Sequence, residues 1–220
     1  EWTDTEWGPR LSGVPWLGAR LVGEPTYAGW ALLVRAAIEE LDVSGADDLV
    51  VSDCRFSAAP EPVGIAIRIA ASDEVTVRDC RIDSAVTGIY VTESSGDIVV
   101  RDCGIETGRV DGGPGLVGIG MDRAAGPIEV SGCTIRNGIA GIVVNDDPGG
   151  TPFSLAFRSR VTDCTVECAE APEGIPPGVA IGIDMAAEMA EVRGNLVRYP
   201  GQGHTGIRLA AARSSASGRK

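Results

Sequence analysis

The chain has 220 residues and a formal net charge of −12, and Lys220 is its only lysine. Because such an acidic surface repels phosphate backbones, nucleic acid is not expected as a partner. No segment reaches the roughly 20 uninterrupted apolar residues of a membrane-spanning helix, so no membrane is expected either. We expect a soluble module, bacterial in type and either intracellular or secreted, and the sequence leaves its oligomeric state open.

The first segment, residues 1–38, is expected to cap the fold. It holds all four tryptophans, Trp2, Trp7, Trp16 and Trp30, among glycines and prolines. Apolar rings at the end of a repeat array cover the core and the strand edges that a terminal repeat exposes. Near its end, the string GWALLV resembles a degenerate copy of the second strand motif below and would add one coil.

Residues 39–210 repeat one pattern. Five of the six cysteines share a frame, and Asn195 takes their place in a sixth copy. Three residues before each stands a valine, and two residues after each stands Phe, Ile or Val, so the pattern alternates as in a strand with one buried face. The frame positions are Cys54, Cys80, Cys103, Cys133, Cys164 and Asn195.

A second motif, glycine followed by isoleucine, comes after each copy. It begins at Gly64, Gly88, Gly118, Gly141, Gly182 and Gly206. Another apolar residue follows each isoleucine at a distance of two, which again predicts a short strand. The connections between the motifs vary in length while the strands do not, which is typical of a solenoid.

The strings VTVRDCRID and GIYV, with their later copies, resemble the right-handed parallel β-helix repeat of the pectate-lyase-like superfamily. The resemblance implies an all-β solenoid of about six to seven coils, with three short strands per coil and a ladder of stacked side chains at one tight bend. The string LVVSDCRF also fits a leucine-rich-repeat-like solenoid, which is the alternative. Richness in Val and Ile and the second strand motif favour the β-helix.

The in-frame cysteines are expected to stack as a buried structural column. They have no in-frame histidine and are too widely spaced in sequence for a local metal cluster. Cys168 lies outside the frame and is expected to be the accessible thiol. The tail, residues 211–220, is small and polar, and we expect it to be disordered.

Outward-facing residues of the Gly-Ile strands form the candidate binding face. If the glycines of the six Gly-Ile motifs align with one another, the outward residues stack from rung to rung in two neighbouring files, and long connections flank them. The ligand-binding candidates are Arg68, Tyr90, Thr92, Asp122, Asn145, Asp184 and Arg208. One predicted file is Ala66, Tyr90, Gly120, Val143, Asp184 and Arg208, and the other begins with Arg68, Thr92, Asp122 and Asn145.

Part of this face resembles the polygalacturonase-like glycosidases. Asn145 and Asp147 in NDD resemble their Asn-x-Asp strand, and GHTGIRL around His204 resembles their later motifs. The catalytic candidates are therefore Asp184, Asp122, Asp147 and His204. No Asp-Asp pair stands at Asp184, which departs from that pattern.

No cofactor or metal is predicted. Calcium would need several carboxylates converging from adjacent rungs, and Asp122 has few in its file. The first hypothesis is a non-catalytic β-helix module of a larger protein that binds a polysaccharide or a protein partner. The alternatives are a polysaccharide lyase or glycoside hydrolase, and a structural or assembly spacer, so whether the chain is an enzyme stays open.

Overall fold

The structure is a computed structural model. It describes residues 2–3, 10–11, 19–22, 37–38, 41–57, 64–94, 96–108, 115–124, 126–144, 156–170, 180–199 and 205–211. Asn145, Asp147, His204, Trp7, Trp16, Trp30 and residues 212–220 lie outside these ranges, as do most of residues 1–38.

The described residues form β-strands and turns and contain no helix. The strands are β1 Trp2–Thr3, β2 Arg10–Leu11, β3 Ala19–Val22, β4 Ala37–Ile38, β5 Leu41–Ser44, β6 Asp47–Ser52, β7 Arg55–Ser57, β8 Ile65–Ala70, β9 Asp73–Arg78, β10 Arg81–Ala85, β11 Thr87–Thr92, β12 Ile98–Arg101, β13 Gly104–Thr107, β14 Gly115–Asp122, β15 Ile128–Ser131, β16 Thr134–Val144, β17 Ala156–Thr162, β18 Thr165–Cys168, β19 Ile181–Arg193, β20 Leu196–Arg198 and β21 Thr205–Ala211.

The strands stack into three parallel sheets, as the repeat predicts. Sheet 1 contains β3, β5, β8, β11, β14, the end of β16, the start of β19, and β21. Sheet 2 contains β6, β9, β12, β15, β17 and the end of β19. Sheet 3 contains β4, β7, β10, β13, the start of β16, β18 and β20.

Between Leu41 and Arg198 the described strands give six three-stranded rungs, joined by five steps of the solenoid. This arrangement confirms the parallel β-helix over the leucine-rich-repeat alternative. Ahead of these rungs, β3 pairs with β5 and β4 pairs with β7, so the 1–38 segment contributes strands to the sheets.

The predicted inward positions fill one continuous core. The valines three residues before the cysteine frame are buried from Val51 to Val161, and Val192 packs against the same core. On β21, the last described strand, Ile207 and Leu209 continue the inward columns but are 46% and 55% exposed. Among the described strands, only β19 pairs with β21, so no further rung covers these two side chains.

Each bend between sheets 2 and 3 needs one residue with left-handed backbone. Asp53, Asp79, Asp102 and Asp163 hold φ between 54° and 56°, and Gly132 and Gly194 hold 63° and 69°. Aspartate tolerates this region better than most residues and glycine tolerates it best. The N–H of the turning residue donates to the next rung, for example from Asp79 to the Arg101 carbonyl at 3.2 Å. The DC and GC strings therefore mark the bends.

The in-frame cysteines form the predicted column just after these bends. All are buried thiols, and each donates to the carbonyl two residues earlier, as Cys80 does to Arg78 at 3.2 Å. From the second rung each also lies near the valine carbonyl of the rung before, such as Cys103 Sγ to Val77 O at 3.9 Å. Hydrogen bonding with the neighbouring Cys103 sulfur, reinforced by burial, raises the pKa of Cys80 to about 12.

Asn195 continues the column with a different chemistry. Its Oδ1 accepts the Cys164 backbone N–H at 2.8 Å, and its Nδ2 donates to the Val161 carbonyl at 2.8 Å. One amide therefore satisfies two backbone groups of the preceding rung.

The prediction that Cys168 is accessible is wrong. The side chain ends β18 with 7% exposure and belongs to the core, against which Tyr199 packs. Burial raises the pKa of the Cys168 thiol to about 11, which favours the unreactive protonated form.

A second ladder, unforeseen in the sequence, lies at the bend between sheets 1 and 2. Ser72 Oγ donates to the Ala70 carbonyl at 2.9 Å and accepts the Ala46 N–H at 3.2 Å. Ser94 Oγ repeats the first bond to Thr92 at 3.3 Å and accepts the Ser72 N–H at 3.4 Å. In these coils, serine hydroxyls therefore stabilise the bend between sheets 1 and 2, and cysteine thiols stabilise the bend between sheets 2 and 3.

Candidate functional site

The outward face of sheet 1 carries the predicted binding residues, with one correction to their register. Ile67 pairs with Ile89 and Arg68 with Tyr90, so Ala66 rather than Gly64 stands opposite Gly88. Arg68 therefore belongs to the file of Tyr90, not to that of Thr92, and Ala66 is buried instead of facing outward. The corrected file is Asp42, Arg68, Tyr90, Gly120, Val143, Asp184 and Arg208.

Arg68 forms an ion pair with Asp42 of the preceding rung. Its Nη1 lies 3.3 Å from Oδ2 and 3.5 Å from Oδ1 of Asp42. The guanidinium is about half exposed, so it keeps N–H groups that can face a ligand. Asp42 was missed because β5, the strand that pairs with β8, lacks the Gly-Ile motif.

Tyr90 lies across the next rung because Gly120 leaves room for its ring. A Cβ at Gly120 would stand 3.0 Å from Cδ2 and 3.5 Å from Cε2 of Tyr90. The ring therefore covers the Gly120 backbone while remaining partly exposed. Burial, helped by the Asp122 carboxylate, raises the pKa of the Tyr90 phenol, so the hydroxyl stays protonated at neutral pH.

Thr92 and Asp122 border the ring in the adjacent file, where their strands pair residue to residue. Asp122 Oδ2 lies 3.6 Å from Nε of Arg123, whose Nη1 contacts Glu93 at 2.6 Å. These groups place hydrogen-bond donors and acceptors beside the Tyr90 ring, in the adjacent file. Arg123 and Glu93 were not predicted, since both follow the strand motif at its bend.

Asp184 and Arg208 form a separate pair, three and four rungs from Tyr90. Arg208 Nε donates to Asp184 Oδ1 at 2.7 Å, and its Nη2 contacts Oδ2. Asp184 is only 2% exposed, and such bidentate pairing compensates a buried carboxylate. Both carboxylate oxygens are therefore engaged in the structure.

The catalytic candidates are only partly brought together. Asp122 and Asp184 lie two rungs and two residues apart, which corresponds to about 12 Å between Cα atoms at a strand spacing of about 4.8 Å. Asp147, His204 and Asn145 cannot be placed relative to them, because they lie outside the described residues.

A metal site is not formed by the described part of the chain. No group of three or more His, Cys, Asp or Glu side chains converges there in a way that could hold an ion. In the same residues, no helix is long and apolar enough to span a membrane.

Three parallel sheets wound from short strands, with stacked ladders at their bends, define a parallel β-helix. Residues 38–166 match the family described as the right handed beta helix region, and the chain belongs to that family. A comparison with curated proteins finds no match.

Proposed function

We propose that the chain is a non-catalytic β-helix module that binds a glycan on the outward face of sheet 1, centred on Tyr90. The observation that carries the proposal is the Tyr90 ring lying over Gly120. Sugars stack their C–H faces on aromatic rings, and a ring that already packs against a sheet needs little ordering when it binds.

The groups around the ring support the same ligand. Arg68 offers N–H donors on one side, and Thr92 and Asp122 offer a hydroxyl and a carboxylate in the adjacent file. An apolar platform edged by a few polar groups is the usual composition of a small-molecule site.

The state of Asp184 supports a non-catalytic role. A general acid or base must be able to exchange a proton with the substrate. Asp184 is buried, and its two oxygens face Arg208.

Glycan-array screening followed by calorimetry on the best oligosaccharide would test the proposal. Tyr90→Ala is expected to weaken binding at least about tenfold, or about 1.4 kcal/mol, whereas Tyr90→Phe retains most of it. Gly120→Ala should also weaken binding, because its Cβ would displace the ring. Arg160→Ala, which removes an exposed ion pair with Glu191 on sheet 2, is the control.

Two results would contradict this function. Undiminished binding by Tyr90→Ala would move the site elsewhere. New reducing ends or unsaturated products, abolished by Asp184→Asn, would make the chain a polysaccharide-cleaving enzyme instead.

A further inference from the structure

A groove of about 370 Å³ lies on the outer face of sheet 3, away from the file of Tyr90. Its walls come from three successive rungs, β10, β13 and β16. The lining side chains that reach outward are Arg81, Asp83, Glu106, Thr134 and Arg136, and Gly104 forms the floor. A volume near the lower end of the roughly 300–1,000 Å³ of small-molecule sites suits one or two sugar residues.

The groove exists because Gly104 lacks a side chain at a position where the fold accepts one. The equivalent outward residues on the neighbouring rungs are Arg55, Arg81, Thr134, Thr165 and Leu196. A Cβ at Gly104 would meet no atom within 4 Å, and the backbone there does not adopt a positive φ. The fold therefore does not require glycine at this rung, and the missing side chain leaves an opening between its neighbours.

The cations around the groove are held toward its two ends. Asp83 contacts Arg55 at 3.1 Å and Arg81 at 3.0 Å on one side. Glu167 contacts Arg136 at 3.0 Å and Arg198 at 2.9 Å on the other. Glu106 lies between these clusters, beside Arg136 in the strand register, and faces the opening as an exposed acceptor.

The charges of the lining select a neutral ligand. Asp83 and Glu106 oppose an anion, while Arg81 and Arg136 oppose a cation. A ligand with vicinal hydroxyls can accept from the guanidinium groups and donate to the carboxylates at the same time.

We infer that the groove over Gly104 is a second binding site, specific for a neutral, hydroxyl-rich ligand of one or two sugar residues. It goes beyond the site proposed at Tyr90 and does not depend on it, because the two share no residue.

Saturation-transfer NMR with a panel of neutral disaccharides tests the inference on the full chain. Gly104→Leu fills the groove with a side chain that Leu196 already places at the equivalent position, so the melting temperature should hold while transfer to the bound disaccharide falls at least fivefold. Thr165→Leu makes the same kind of change one rung beyond the lining residues and should leave the signal intact. Tyr90→Ala should retain the part of the signal that Gly104→Leu removes.

The outcomes separate the two sites. Full transfer by a folded Gly104→Leu, or the absence of transfer from any neutral disaccharide, would overturn the inference. If Tyr90→Ala loses all transfer and Gly104→Leu loses none of it, the inference is overturned while the sheet 1 site stays in place. Preferential binding of uronic acids or amines that Gly104→Leu abolishes would overturn the neutral ligand class.

Discussion

Replacing Gly88 by alanine tests why the second motif begins with glycine. A Cβ at Gly88 would lie 2.5 Å from the carbonyl oxygen of Gly118 and 2.5 Å from Cγ2 of Ile105. Ordinary contact begins near 3.4 Å, so the two neighbours must retreat by about 0.9 Å. Ile105 can respond by a rotamer change, but the Gly118 carbonyl belongs to the adjacent rung and moves only with its strand.

The expected cost follows from two opposing effects. Overpacking of a filled core costs typically about 1–3 kcal/mol. Alanine lowers the entropy of the unfolded chain, which returns about 0.4–1 kcal/mol. Taking the midpoints of these two ranges, we expect Gly88→Ala to lower the free energy of unfolding by about 1.3 kcal/mol. This corresponds to a melting temperature about 4 °C lower in a chain of this size.

Gly206 provides the matched control, because it begins the last copy of the same motif and a Cβ there would meet no atom within 4 Å. Gly206→Ala should therefore leave stability unchanged or raise it by about 0.5 kcal/mol. Urea unfolding followed by circular dichroism measures both variants. Equal stabilities for the two alanine variants would refute the steric explanation of the motif.

Three further predictions concern Asn195, the six thiols, and the ion pair between Arg208 and Asp184. Asn195→Ala should lower the free energy of unfolding, measured in urea, by about 2 kcal/mol, because it removes two hydrogen bonds. Arg198→Ala, on the exposed side of the same rung, should cost less than about 1 kcal/mol, and equal costs for the two variants would contradict the role of the amide. All six thiols should resist Ellman's reagent at pH 8 until the chain unfolds, because they are buried and the pKa of Cys168 is raised to about 11; rapid labelling of one native thiol, located by mass spectrometry, would be the contrary result. Arg208→Ala should lower the free energy of unfolding by about 2–3 kcal/mol, which is below the range for fully buried pairs because Arg208 is partly exposed. In thermal melts, the double variant with Asp184→Asn should regain most of this stability. A double variant no more stable than Arg208→Ala alone would show that the uncompensated charge is not the cause.

The rung architecture could be predicted from the sequence because its signals are local and repeated. Val51, Cys54 and Phe56 occupy inward positions of one bend, and the same spacing recurs wherever the chain closes a coil. The left-handed residue before each cysteine is Asp or Gly for the same reason in every copy. From Tyr90 onward the outward file was also correct, including the neighbouring placement of Asp184 and Arg208.

The first copy of the Gly-Ile motif and the binding sites were harder to predict. In GIAIRI both Gly64-Ile65 and Ala66-Ile67 fit an alternating strand, and only pairing with β11 decides between them. The serine ladder escaped notice because Ala46 and Ala124 replace serine in neighbouring coils. The sheet 3 groove results from an absent side chain at Gly104, and an absence becomes meaningful only when the neighbouring rungs are aligned.

Strand pairing between successive rungs has a consequence for how the molecule loses structure. Each rung of a solenoid is stabilised mainly by its two neighbours, so local unfolding begins at the terminal rungs and proceeds inward. Tyr90 and Gly104 lie on β11 and β13, in one winding with two complete rungs before it and three after it. Amide hydrogens in that winding should therefore exchange among the slowest, and both proposed binding surfaces would keep their shape while the terminal windings fray.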